Sequence, residues 1–121
     1  MRRRAGSLVA LEADILAAGL DLHRRGDESF HGFQIAKHLR DADGAQRLTA
    51  HGTLYKALGR LRDGGLLDAR WEDPAVAADE GRPRRRLYEV TGAGQKALAV
   101  WRLEERATLH LRPRPAGSDA T

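Results

Sequence analysis

The chain contains no cysteine, which excludes disulfides and metal sites built on thiolates and agrees with a cytoplasmic protein. It also lacks a long apolar run. After Arg2-Arg3-Arg4 an apolar stretch begins much as a secretory leader would, but Glu12 and Asp14 interrupt it, so neither export nor membrane insertion is expected. Lysine is scarce, 18 of the 21 basic residues being arginine. Such a bias suits phosphate, which the planar guanidinium can grip with two hydrogen bonds.

Catalytic equipment is equally thin. His31 and His38 are seven residues apart with no third ligand at a suitable spacing, so they read as cap or solvent-facing histidines and not as a zinc site. Glu104 and Glu105 are adjacent and diverge around a helix, which is no geometry for an acid/base pair. One string, Gly92-Ala93-Gly94-Gln95-Lys96-Ala97, matches the dinucleotide fingerprint G-x-G-x-x-G/A and lies between a predicted strand and a predicted helix. No second parallel strand follows it, and the later acidic residue at a comparable distance, Asp119, lies in the tail. No catalytic residue, cofactor or metal is therefore expected.

What the chain does have is enough apolar material, 41% of 121 residues, for one compact domain with little room for a buried catalytic site. The net charge is +4, and seven arginines fall in two runs, Arg2 to Arg4 and Arg82 to Arg86. The first run reads as a solvated tail. The second interrupts an acidic neighbourhood containing Asp73, Asp79 and Glu80, so it is not part of a uniformly basic loop.

Apolar spacing organises the rest. Ser7 is a candidate N-cap for a helix over about residues 8–25, with Leu8, Leu11, Ile15, Ala18 and Leu22 on one stripe and Val9, Ala13, Leu16 and Leu20 on a second beside it. A turn at Gly26-Asp27-Glu28 leads to a short second helix carrying Ile35, Ala36 and Leu39, with Phe30 as a staple at its entry. Thr49 caps a third, backed by Leu54, Ala57, Leu58 and Leu61 and stopped by Gly64-Gly65. Leu67, Ala69 and Trp71, then Tyr88 and Val90, alternate as strands around a hairpin loop at 74–83. Thr91 caps a last helix bearing Leu98, Trp101, Leu103, Ala107 and Leu111.

The expected fold is therefore mainly α, of the α+β kind: a winged helix-turn-helix over residues 8–91, with three helices and a two-stranded β-wing, then a dimerisation helix over 92–112. Residues 1–7 and 113–121 read as flexible tails. The first and last helices carry more apolar surface than a three-helix core of this size uses, which points to a homodimer held by Val9, Leu16, Leu20, Leu98, Trp101 and Leu103.

On the third helix, Gly52, Lys56, Gly59 and Asp63 face away from the apolar side, flanked by Thr53, Tyr55 and Arg60. Each glycine costs about 1 kcal/mol relative to alanine in a helix interior, a penalty that close approach of another backbone would offset. The helix N-terminus suits a phosphate, with hydroxyls from Thr53 and Tyr55, and leaves Lys56, His51 or Arg60 to read bases. Tyr55 can equally be half-packed on the core. Arg82 and Arg84, then Arg86, are the candidate phosphate or minor-groove contacts of the wing, so affinity should lean on backbone contacts and DNA shape.

Together these residues resemble the PadR family of bacterial transcriptional regulators over about residues 8–105. The pattern is carried by Leu11-Glu12 and Ile15-Leu16, by His31-Gly32-Phe33-Gln34-Ile35-Ala36, and by Leu48-Thr49 with Gly52-Thr53-Leu54-Tyr55, Leu58, Arg60 and Leu61. Gly65-Leu66-Leu67, Gly81-Arg82-Pro83-Arg84 and Tyr88-Glu89-Val90-Thr91-Gly92-Ala93-Gly94 complete it. The resemblance implies a homodimeric repressor of a pseudo-palindromic operator, its last helix reaching across to the other subunit. In some relatives a phenolic compound or hydrophobic drug binds near the dimer interface and releases the DNA; Trp101 would line such a pocket or belong to the dimer core. Lys56 stands where proline is common, Gly59 where a larger polar residue is common, and Ala75 to Ala78 lengthen the wing. The competing reading is a winged-helix protein-interaction module without specific DNA binding, for which four arginines within five residues would serve no purpose.

Overall fold

The computed structural model describes residues 8–42 and 51–111. Ser7, Leu48, Thr49, the Arg2-Arg3-Arg4 run and the C-terminal tail lie outside the described residues. The described elements run in the order α1 (Ala10–Arg24), α2 (Gly32–Ala42), α3 (His51–Asp63), β1 (Leu67–Trp71), α4 (Pro74–Asp79), β2 (Arg86–Val90) and α5 (Gly92–Leu111).

Helix α1 is the central element and packs on α2, α3, β2 and α5. This placement absorbs both of its apolar stripes. Ile15 and Ala18 of one, and Ala13 and Leu16 of the other, are buried within a single chain, while Leu20 is partly buried. The surplus expected from the sequence is therefore overstated for Leu16 and for Leu98 of α5, which are both buried within one chain and have no surface left to offer a second subunit. Val9 remains exposed. At the helix start the Glu12 carboxylate accepts the Val9 N–H at 3.1 Å, closing one of the backbone donors that every helix leaves open.

Local signals set the other helix ends. The Gln34 side chain accepts the His31 N–H at 3.0 Å, as a capping box does, with Phe30 and Ile35 both buried behind it. Helix α3 ends where Gly65 turns to a φ of 76°, and the Leu66 N–H reaches back to the Leu61 carbonyl at 2.9 Å. Thr91 caps α5 as expected: its hydroxyl oxygen accepts the Gly94 N–H at 3.0 Å and donates to the Gly65 carbonyl at 2.7 Å, tying the end of α3 to the start of α5.

The two strands form one antiparallel pair with Leu67 opposite Val90 and Trp71 opposite Arg86. Phe30 adds a bridge to the outer edge of β2, its N–H and carbonyl both bonded to Tyr88 at 2.9 and 2.7 Å, while the two rings stack at 5.9 Å. The wing is thus anchored to the α1–α2 connection as well as to α3.

Residues 74–83 are not a plain loop, because Pro74–Asp79 forms α4. Asp73 accepts the Ala75 N–H at 2.9 Å and Pro74 opens the helix with its φ already set. Gly81, at a φ of 66°, closes it, with the Arg82 N–H bonded to the Ala77 carbonyl at 3.1 Å. Six residues are too few for apolar periodicity to stand out in a sequence, and the alanines that looked like an insertion are good helix formers.

Candidate nucleic-acid interface

Helix α3 buries Leu54, Ala57, Leu58 and Leu61 and turns Gly52, Thr53, Tyr55, Lys56 and Arg60 outward. His51 is its first residue. A methyl group added to Gly52 or Gly59 would meet nothing within 4 Å. Neither glycine is demanded by the packing of this chain, so the helix carries two destabilising residues for which the fold gives no reason.

Two of the outward residues are tied to neighbouring helices. Tyr55 lies across Gly32 of α2: a Cβ on Gly32 would come within 2.6 Å of the phenolic oxygen and 2.7 Å of the ring. The glycine of the His31-Gly32-Phe33 string is the seat of this tyrosine, whose ring is packed on the fold while the residue stays 45% exposed. Arg60 sets its Nε 3.5 Å from the Glu12 carboxylate of α1, which is only 3% exposed. A buried carboxylate is costly without a partner, so Arg60 has a structural duty beside any role at the surface. Lys56, exposed, borders a cleft of about 420 Å³ between α1 and α3, together with Val9, Leu11, Thr53 and Ala57.

The wing arginines divide by what their guanidiniums touch. Arg82, expected to grip phosphate, is committed within the wing. Its two terminal nitrogens donate to the two oxygens of Glu72 at 2.6 and 2.9 Å, and its Nε donates to Glu80 at 3.0 Å. That hydrogen-bonded guanidinium holds the Glu72 carboxyl down at about 2 from an ordinary 4.5, against the opposing effect of burial, with the Arg85 N–H assisting at 3.3 Å. Arg84 and Arg86 lie over the exposed ring of Trp71 instead, at 5.4 and 5.1 Å from its centre. Trp71 carries no signal of its own in the sequence beyond its place in a strand, which is why it is absent from the sequence-derived site.

The two histidines also fall into place. His31 opens α2, and its pKa is lowered by burial first and then by Arg85 and Arg82, with Glu72 opposing. His38 reaches Asp21 of α1 at 3.2 Å. No cluster of three metal-binding side chains occurs among the described residues. Gly94, the second glycine of the dinucleotide-like string, is explained by packing, since a Cβ there would collide with the Leu66 carbonyl and with Val90.

Beyond Leu98, which is buried in the core, α5 leaves the body of the domain. Trp101 is partly covered, and Val100, Leu103 and Leu109 are exposed, Leu103 at 61%. Among the described residues no helix is long and apolar enough to cross a membrane.

Three core helices, a hairpin wing packed beside the third, and a long trailing helix define the class of winged-helix DNA-binding proteins. Residues 22–100 match the model of the transcriptional regulator PadR-like family, and the chain belongs to that family of non-enzymatic regulators. No curated protein matches it in sequence. Among solved structures it is similar to a PadR-like transcription factor from Bacteroides fragilis, with 26% identity, a TM-score of 0.60 and coverage of 84% of this chain and 89% of that one. A PadR family transcription regulator from hypervirulent Clostridium difficile R20291 shares the fold at 20% identity and a TM-score of 0.64, over 85% and 94% of the two chains. So does Bacillus subtilis PadR, solved in complex with operator DNA, at 20% identity and a TM-score of 0.58, over 93% of this chain and 54% of that one.

Proposed function

We propose that the chain is a homodimeric repressor of a pseudo-palindromic operator, with α3 in the major groove, the wing on the flanking backbone and α5 forming the contact between subunits. The observation that carries this reading is the open, glycine-containing outer face of α3, where Gly52, Thr53, Lys56 and Gly59 leave room for a nucleic-acid backbone. Binding to operator DNA is supported by the shared fold with a PadR solved in complex with operator DNA. Repression follows from the family resemblance.

In this arrangement Lys56 reads bases, while Thr53 and the wing arginines hold phosphates. The dimer joins the exposed outer part of α5, through Trp101, Leu103 and neighbours, to Val9 and the rim of α1. A concave face of about 510 Å³ along α5, lined by Trp101, Glu104, Glu105, Thr108 and Leu109, is of a size to take a small hydrophobic or phenolic effector once a second subunit closes it.

Footprinting on the DNA that flanks the gene for this protein tests the proposal. Two protected half-sites about 34–36 Å apart are expected. Protection of a single half-site contradicts the dimer, and no binding to mixed DNA fragments even at low salt would move the reading to a protein-interaction module. Transcription from the bound promoter, measured with and without the protein, checks repression.

A further inference from the structure

The wing uses its arginines in two chemically different ways, one hydrogen-bonded to carboxylates and two lying over an aromatic ring. All five N–H donors of a guanidinium lie in its plane, so a carboxylate that takes the edge consumes the groups a phosphate would need. Arg82 is spent in this way on Glu72 and Glu80. A cation held over an aromatic ring is attracted by the ring's quadrupole without a conventional hydrogen bond, which leaves its donors available. Arg84 and Arg86 instead lie over the Trp71 ring, their guanidinium carbons 5.4 and 5.1 Å from its centre, and neither makes a salt bridge or side-chain hydrogen bond with another described residue.

Placement on the hairpin makes this more than a chance contact. Residues directly opposite each other in an antiparallel pair share one face of the sheet, and alternate residues repeat that face. Leu67, Ala69 and Trp71 with Val90, Tyr88 and Arg86 therefore form one face, buried at Leu67 and Tyr88 and open at Trp71, which is 54% exposed. A large aromatic at the open end of a core face contributes little to the core. It does give two long, rotamer-rich side chains a common surface and a common direction.

We propose that Trp71 is a positioning residue for DNA binding, holding Arg84 and Arg86 side by side with their hydrogen-bonding edges turned outward to the phosphate backbone. The indole itself need not touch DNA. Its effect is to remove, before binding, much of the side-chain freedom that two arginines would otherwise lose on the backbone. The inference rests on the DNA-binding reading above and adds a residue to it.

Anisotropy titrations of a fluorescein-labelled mixed-sequence duplex over a series of salt concentrations test it, using the full chain. Trp71→Leu should weaken binding about three- to tenfold with an unchanged slope of log affinity against log salt, because no charge is lost. Arg84→Ala should instead reduce the magnitude of that slope by about 0.9. Trp71→Phe should restore most of the affinity. In an Arg84→Ala/Arg86→Ala background, Trp71→Leu should have no further effect.

An equal loss from Trp71→Leu in that background, or full affinity in the Trp71→Leu protein, overturns the inference. Should the leucine variant fold poorly by thermal melting, Trp71→Thr, a good strand former that also lacks the aromatic ring, takes its place in the same two backgrounds and decides in the same way. The free protein supplies a separate readout, since the side-chain resonances of Arg84 and Arg86 should carry ring-current shifts that Trp71→Leu abolishes. Unshifted resonances sink the stacking arrangement whatever the DNA result. Shifted resonances with no binding by wild type at low salt overturn the DNA-binding reading and the role proposed for the stack, leaving the stack itself intact.

Discussion

Arg82 and Glu72 form a two-pronged hydrogen bond at 2.6 and 2.9 Å that closes the base of the helical insert in the wing. Glu72 sits just past β1 and Arg82 just past α4, so the pair joins the two ends of the excursion that separates the strands. Arg82 therefore shapes the wing before it can attract anything to it.

Substitution separates that duty from DNA contact. Arg82→Ala should lower the thermal midpoint and loosen the wing, whereas Arg84→Ala should leave the midpoint almost unchanged and weaken binding to all DNA sequences about equally. Lys56→Ala should alter preference among operator sequences instead. Melting curves with binding measured on several duplexes check all three, and matching profiles for Arg82→Ala and Arg84→Ala would contradict the division.

The same pair has a pH signature. Because the Glu72 carboxyl is depressed to about 2 in the folded chain from an ordinary 4.5, it contributes stability above about 4.5 that is lost as pH falls toward 2. The midpoint of Glu72→Gln should lie below that of wild type at neutral pH, and the gap should close across that window. A gap that persists unchanged at the acidic end would show that the charge of Glu72 is not what stabilises the wing.

Gly52 and Gly59 face open space, so alanine at either position should stabilise the fold by up to about 1 kcal/mol through helix propensity alone. If a DNA backbone approaches this face, the same substitutions should weaken binding. Denaturant unfolding and duplex titration read the two effects separately, and improved stability with undiminished affinity would remove the argument for close approach.

Gly94→Ala should behave in the opposite way, because its methyl group would meet the Leu66 carbonyl, which is backbone and cannot swing aside. A loss of roughly 1–3 kcal/mol is expected, as for overpacking in a core. Unfolding at neutral pH measures it, and a neutral result would mean that the start of α5 can shift away from the wing.

For assembly, Leu103→Glu should shift the chain toward monomer in analytical ultracentrifugation with little change in fold. Leu98→Ala should cost about 2–5 kcal/mol of stability because that side chain is enclosed in one subunit. If Leu103→Glu left a dimer intact, the subunit contact would have to lie elsewhere than on the outer part of α5.

The sequence by itself determined the mainly α winged-helix fold, the order of its larger helices and two strands, and the junctions at Gly64 and Thr91. It determined neither the short α4 between the strands nor the start of α1, which begins at Ala10 behind Val9. The features it did determine depend on residues within a few positions of one another: the helical spacing of leucines in α1 and α3, the glycine after Asp63, and Thr91 before α5. Such signals survive without knowledge of neighbours. Only the tertiary structure decided how each shared side chain is used. Leu16 looked available to a partner because its stripe was counted without the four elements that surround α1. Arg82 and Arg84 are alike in sequence, yet one finds two carboxylates within hydrogen-bonding distance and the other lies over an indole ring. Tyr55 needed Gly32, and Arg60 met Glu12, across gaps of 23 and 48 residues that no local pattern spans. The type of a residue limits the bonds it can make, and the neighbours brought to it by folding select which of those it makes.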